Sequence, residues 1–136
     1  MKPVNEFNKI RLWAHNHGIY QFGDHKTQLI KLQEEVGELA KAVLTDNRNE
    51  IVDAIGDCVI VLTSLAQLAE LHFSRKCTTC RGIGGDFDYT AGDGKGLWIE
   101  CKDCGKIDIE TCIKKAFKEV KGRTGAMSNG TFIKNK

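Results

Sequence analysis

The chain has 136 residues, 41% of them hydrophobic, and its 20 Lys and Arg nearly balance 18 Asp and Glu for a formal net charge of +2. That length supports one modest core with an appendage, and the balanced charge gives no global case for a nucleic-acid-binding protein. The apolar run at 59–71 is interrupted by Thr63, Ser64, Gln67 and Glu70, which reads as too polar to span a bilayer; no secretory segment is evident, so a reducing, cytoplasmic setting is expected.

In chain order, a first helix is predicted from near Pro3, suited to a first turn, to near Gly18, suited to a left-handed cap. Phe7, Ile10, Leu12 and Trp13 give it an apolar side. A second helix is expected over 24–44 with Asp24 as N-cap, and a third over 49–73. The linker Thr45-Asp46-Asn47-Arg48-Asn49 is short enough to fold these two into an antiparallel hairpin. Residues 74–106 read as a small cysteine-bearing ribbon, with Phe87, Tyr89 and 97–100 in a short β-hairpin turning at 92–96. A fourth helix is predicted over 108–121, where Ile109, Ile113, Ala116, Phe117 and Val120 recur at helical spacing. The Gly-rich, basic tail from Arg123 is expected to be irregular, with Met127, Phe132 and Ile133 able to dock. The expected fold is therefore all-α: a helical-hairpin bundle of about four helices, residues 1–73 and 107–136, with a zinc ribbon of residues 74–106 inserted between the third and fourth.

Two acidic groups interrupt this pattern. Glu50, Asp53 and Asp57 fall within an arc of roughly 60° on a third helix that is apolar on every side, so they are expected to be buried with it. A buried carboxylate without a partner costs several kcal/mol or neutralises, so a cation or basic partners are required. Glu34, Glu35 and Glu38 span about 100° on the second helix, compatible with a solvated face or with a site shared across the hairpin. Hard oxygen ligands projecting from facing helices hold divalent metal in helical bundles.

The string Leu32-Gln33-Glu34-Glu35-Val36-Gly37-Glu38-Leu39-Ala40, followed by Glu50-Ile51-Val52-Asp53-Ala54-Ile55-Gly56-Asp57, resembles the MazG-like all-α nucleoside triphosphate pyrophosphohydrolases. Their signature is an E-E-x-x-E helix followed by an E-x-x-D helix, and 120–130 is similar to tails of some phage-type members. The resemblance implies Mg2+-dependent cleavage of (deoxy)nucleoside triphosphates to a monophosphate and pyrophosphate, and a homodimer or homotetramer, in the host cytoplasm if phage-encoded. By position it makes Glu35 and Glu38 magnesium ligands and Glu34 the acid that activates water. The second pair stays open among Glu50, Asp53 and Asp57: Glu50 and Asp53 have the literal spacing, Gly56-Asp57 has the family context, and Ala54 stands where glutamate is expected. Asp57 is favoured.

Triphosphate calls for positive charge beyond the metal, and Lys118, Lys121 and Arg123 are candidates, the alternative being solvated cations at a helix C-terminus. Trp13, His17, Phe22 and Gln28 are candidates to stack on or bond a nucleobase, although Trp13 and Phe22 serve equally as core. His15, His17, His25 and His72 share no metal spacing.

Cys77-x-x-Cys80 and Cys101-x-x-Cys104 have the spacing of a four-thiolate Zn2+ site, structural in role, with disulfides disfavoured by the expected compartment. Cys58 reads as a small core residue. The Gly-rich pieces at 82–85 and 92–96 lack the setting of a phosphate loop. The rival function is a zinc-ribbon binding module contacting nucleic acid or a protein, with the acids holding a structural cation.

Overall fold

The computed structural model describes residues 5–74, 77–81, 85–90, 96–104 and 107–136. Among these described residues, five helices and two small hairpins follow in the order α1 (Glu6–Asn16), α2 (Ile19–Phe22), α3 (His25–Leu44), α4 (Arg48–Ser74), β1 (Gly85–Asp88), β2 (Leu97–Glu100), α5 (Ile109–Val120), β3 (Gly125–Ser128) and β4 (Thr131–Lys134). The architecture is mostly helical, as expected, with the cysteine-bearing segment after the long helix.

The start near Pro3 lies outside the described residues, and α1 begins after Asn5, whose side chain accepts from the Asn8 N–H at 2.8 Å. Gly18 takes the left-handed conformation (φ 75), but instead of ending the helical region it turns the chain into the extra helix α2. Asp24 caps α3, accepting from the Thr27 N–H at 2.9 Å and from its hydroxyl at 2.7 Å. After a turn in which Asp46 is left-handed (φ 52), the Glu50 N–H donates to the Asn47 side chain at 3.3 Å and α4 runs back along α3.

Small residues line that contact: Ala42, Ala54 and Val61 are buried. The expectation that α4 is buried on every side is corrected, because Val52 is 61% exposed, and Ile55, Val59 and Leu62 are exposed with it. A two-helix hairpin covers only one stripe of each helix, so an all-round apolar helix keeps a bare flank. Its C-terminal half is covered by α1 and α2, and there the most buried side chains are polar: Thr63, Ser64, Gln67 and Glu70. By length and composition alone α4 is long and apolar enough to cross a membrane, contrary to the expectation from its polar interruptions. Three of the four interruptions are uncharged, and the core helix of a folded bundle meets the same two criteria.

The ribbon packs on α1. Strands β1 and β2 are antiparallel and bury Phe87 and Trp98, whose rings meet edge to face at 5.0 Å. Asn8, 1% exposed, joins them to α1: its Nδ2 donates to the Gly96 carbonyl and its Oδ1 accepts from the Trp98 N–H, both at 2.8 Å. Helix α5 starts on an Asp108 cap that accepts from the Thr111 N–H, and from Thr111 onward every residue is exposed. The tail is not irregular. Strands β3 and β4 pair around Asn129 (φ 48) and Gly130 (φ 77), both left-handed as a type I′ turn requires. Met127 and Phe132 face each other across that hairpin and remain exposed rather than docked.

Candidate functional site

The α3–α4 hairpin brings the two acidic groups together. Glu38, Glu50 and Asp53 line a pocket of about 320 Å³ with Lys41 and Ala54. Asp57, one turn beyond Asp53, has its carboxyl raised above the ordinary range, first by desolvation and then by the negative charges of Asp53 and Glu35. Asp53 is thus common to both ends, beside Glu38 and Glu50 in the pocket and within electrostatic reach of Asp57. The burial expected for the α4 acids is corrected: Glu50 and Asp53 are exposed and Asp57 is half-buried, because this edge of the hairpin is open. The buried acid is instead Glu35, 6% exposed.

Lys31 was not singled out by sequence reasoning, yet it sits inside this group. Its Nζ lies 2.8 Å from Glu35 and 3.2 Å from Glu34, its own pKa is raised by those bonds, and its charge also acts on Asp57. The i, i+4 spacing of Lys31 and Glu35 was the available signal. Lys31 and the pocket's Lys41 leave the six acids in excess, although among the described residues the group drawn close enough to hold a metal ion is the four cysteines.

The four cysteines are gathered more tightly. Their Sγ atoms all lie within 4.8 Å of one another, with Cys77–Cys101 at 3.8 Å and Cys80–Cys104 at 3.4 Å, and none of the four forms a disulfide. A tetrahedral Zn2+ with Zn–S of about 2.3 Å sets its sulfurs about 3.8 Å apart, so the set fits that ion. The Thr79 hydroxyl donates to Asp103 and ties one knuckle to the other. The Ser74 hydroxyl acts to lower the Cys104 thiol, but burial and the three neighbouring thiols push it up to about 12. Thiols crowded in this way ionise readily only on a metal.

The remaining candidates lie elsewhere. Trp13 is 48% exposed, stacks on His17 at 4.7 Å, and lines a shallow cleft with Ile60, one turn of α4 from Asp57. Phe22 is 84% exposed, so neither Trp13 nor Phe22 is core. Lys118, Lys121 and Arg123 are exposed on and after α5, and none lines the carboxylate pocket. A cavity of about 420 Å³ opens at the other end of α4 beside Tyr20, His25, His72 and Trp98. It lies about 20 Å along the helix from Asp57. The histidines take part in ring contacts, His25 with His72 at 4.3 Å and His15 with Phe87 at 4.9 Å.

A polar hub that the sequence did not reveal joins these parts. Arg11, 6% exposed, grips Glu110 through two bonds of 2.8 and 2.5 Å. Burial works to raise the Glu110 carboxyl, but those bonds outweigh it and hold it low. Glu70, fully buried, accepts from the Ile107 N–H at 3.2 Å, and burial raises its carboxyl to about 7.

Residues 23–78 match the family model described as the MazG nucleotide pyrophosphohydrolase domain. That matched segment takes in α3, α4 and Cys77 and carries every carboxylate of the candidate site. An uncharacterized 18.2 kDa protein from the rep-hol intergenic region of Haemophilus phage HP1 is 38% identical over 58 residues, 43% of this chain. The match spans 36% of that relative's length. No solved structure matches.

Proposed function

We propose that this chain is a Mg2+-dependent pyrophosphohydrolase that converts ribo- or deoxynucleoside triphosphates to monophosphate and pyrophosphate. The observation that carries this reading is the carboxylate face of the MazG-matched hairpin, where Glu38, Glu50 and Asp53 line one pocket, Glu35 and Asp57 adjoin it, and the nearby cations are Lys41 and Lys31, which pairs with Glu34 and Glu35. Bound magnesium would neutralise phosphate oxygens and lower the pKa of an attacking water. Glu35, Glu38, Asp53 and Asp57 are the proposed principal ligands, and Glu50 completes the rim. Asp53 is favoured alongside Asp57 because it adjoins both ends of the group. Glu34, beside Glu35 and kept there by Lys31, takes the proton from water. Trp13, in its cleft beside Ile60, is the proposed stacking platform for the base.

The domain division follows: a catalytic helical part at 1–73 and 107–136, and a Zn2+-stapled ribbon at 74–106 whose role is structural. A homodimer or homotetramer is proposed because the bare flank of α4 asks for cover. Cysteines without disulfides suit a reducing cytoplasm. The test is pyrophosphate release from each common ribo- and deoxynucleoside triphosphate with Mg2+, for the native chain and Glu38→Gln. Turnover abolished by the substitution is expected. No turnover of any triphosphate, or full activity in Glu38→Gln, overturns the reading.

A further inference from the structure

The cavity of about 420 Å³ at the far end of α4 shares no lining residue with the carboxylate pocket. Rings supply much of its lining: Tyr20 of α2, His25 of α3, His72 of α4 and Trp98 of β2, together with the aliphatic side chains of Leu68 and Leu71. The His25 and His72 rings lie 4.3 Å apart and the Tyr20 and Trp98 rings 6.1 Å apart, centroid to centroid. Trp98 is held in place by residues that do not line the cavity. Asn8 accepts from its backbone N–H at 2.8 Å, and Phe87 meets its ring edge to face at 5.0 Å.

Two of these rings carry a polar atom with nothing to bond. The Tyr20 hydroxyl and the Trp98 indole N–H are buried and make no hydrogen bond among the described residues, an unfavourable state for either group. An indole N–H can only donate, and burial raises the Tyr20 phenol, which therefore keeps its proton and can donate as well. A ligand that satisfies both must bring acceptors, which an organic ammonium ion lacks. Among the described residues the acid of the lining is Asp24, and no Lys or Arg lines it, so a phosphate would meet a carboxylate without a fixed countercharge. A flat, uncharged ring with carbonyl or ring-nitrogen acceptors meets both conditions. Its faces stack on the aromatic lining and its edge takes the two donors. The volume suits one molecule of nucleoside size.

We propose that this cavity binds an uncharged purine or pyrimidine nucleoside, held by stacking on its rings and by the Tyr20 hydroxyl and the Trp98 indole N–H. The site is separate from the carboxylate pocket, about 20 Å along α4 from Asp57. Binding there does not depend on whether the chain hydrolyses triphosphates.

The test is a titration of the isotopically labelled full-length chain, loaded with Zn2+, with adenosine, guanosine, cytidine, uridine and thymidine. Nuclear magnetic resonance follows the indole N–H of Trp98, which Trp13→Phe distinguishes from the second tryptophan of the chain. At least one nucleoside should shift that resonance saturably, with half-saturation below about 1 mM, and its triphosphate should bind there about tenfold more weakly or worse. Tyr20→Phe keeps the ring and loses the donor, and should weaken binding about tenfold. Leu71→Trp fills the cavity and should abolish binding; circular dichroism checks the folding of both variants. No shift with any of the five nucleosides overturns the proposal. So does an equal response to indole or tetramethylammonium, which offer no acceptor. A response that survives Leu71→Trp and is lost in Glu38→Gln also overturns it, because the nucleoside then sits at the carboxylates.

Discussion

Asp57 is where the electrostatic excess of the hairpin is most evident. Its folded carboxyl lies above the ordinary range, so in the metal-free chain its contribution to stability is present below the unfolded value and is lost as pH rises through the folded one. Asp57→Asn should therefore leave metal-free stability unchanged or slightly higher at pH 7, while Mg2+ affinity and turnover fall at least tenfold; thermal melts with and without Mg2+ check both. Glu70 follows the same sign over a wider window, because its carboxyl is raised to about 7. Its contribution is full below about 4.5 and lost as pH rises through 7. Glu70→Gln keeps an acceptor for the Ile107 N–H and should flatten the pH dependence of Tm between 5 and 8. It should also add on the order of 1–3 kcal/mol at pH 8. At this scale the acids were legible, since spacing alone put them on shared helix faces. Lys31 carried only the local signal of its i, i+4 spacing to Glu35, and the roles of Arg11 and Glu70 were not legible, because their partners Glu110 and Ile107 lie far away in sequence.

Among the elements, the link between α1 and the ribbon depends on one side chain. Asn8 serves two buried backbone groups at once, the Gly96 carbonyl and the Trp98 N–H. Asn8→Ala would leave both without a partner, at a cost of about 2–4 kcal/mol. Denaturant melts should show that loss, and hydrogen exchange at Trp98 should rise by at least tenfold. Helices α3, α4 and α5 were readable to within a residue or two, because capping by Asp24 and Asp108 and 3.6-residue periodicity are local properties. The β3–β4 hairpin was missed although Asn129-Gly130 is a strong turn signal, because its strands are short and alternate weakly in polarity. The burial of α4 was overestimated for a different reason: composition reports how apolar a helix is but not how many neighbours cover it.

For the whole molecule, the ribbon and the hairpin should separate under metal removal. A strong Zn2+ chelator is expected to shift Trp98 fluorescence to the red and free the ribbon, since a segment this small has little core of its own. Far-ultraviolet circular dichroism should keep the signal of α3 and α4, which are held by contacts with each other. The bare apolar flank predicts association, so Tm should rise with protein concentration, and sedimentation should show a species larger than 15.1 kDa. By itself the sequence determined the helical class, the carboxylate faces and the four-cysteine set, because helix periodicity, acid spacing and C-x-x-C pairs are short-range patterns. Tertiary structure alone decided that Asp53 adjoins both ends of the acidic group, that Glu35 is the buried acid, and that Lys118, Lys121 and Arg123 do not line the carboxylate pocket. Those facts depend on how far two helices cover each other and where a chain emerges from its ribbon, which no local pattern encodes.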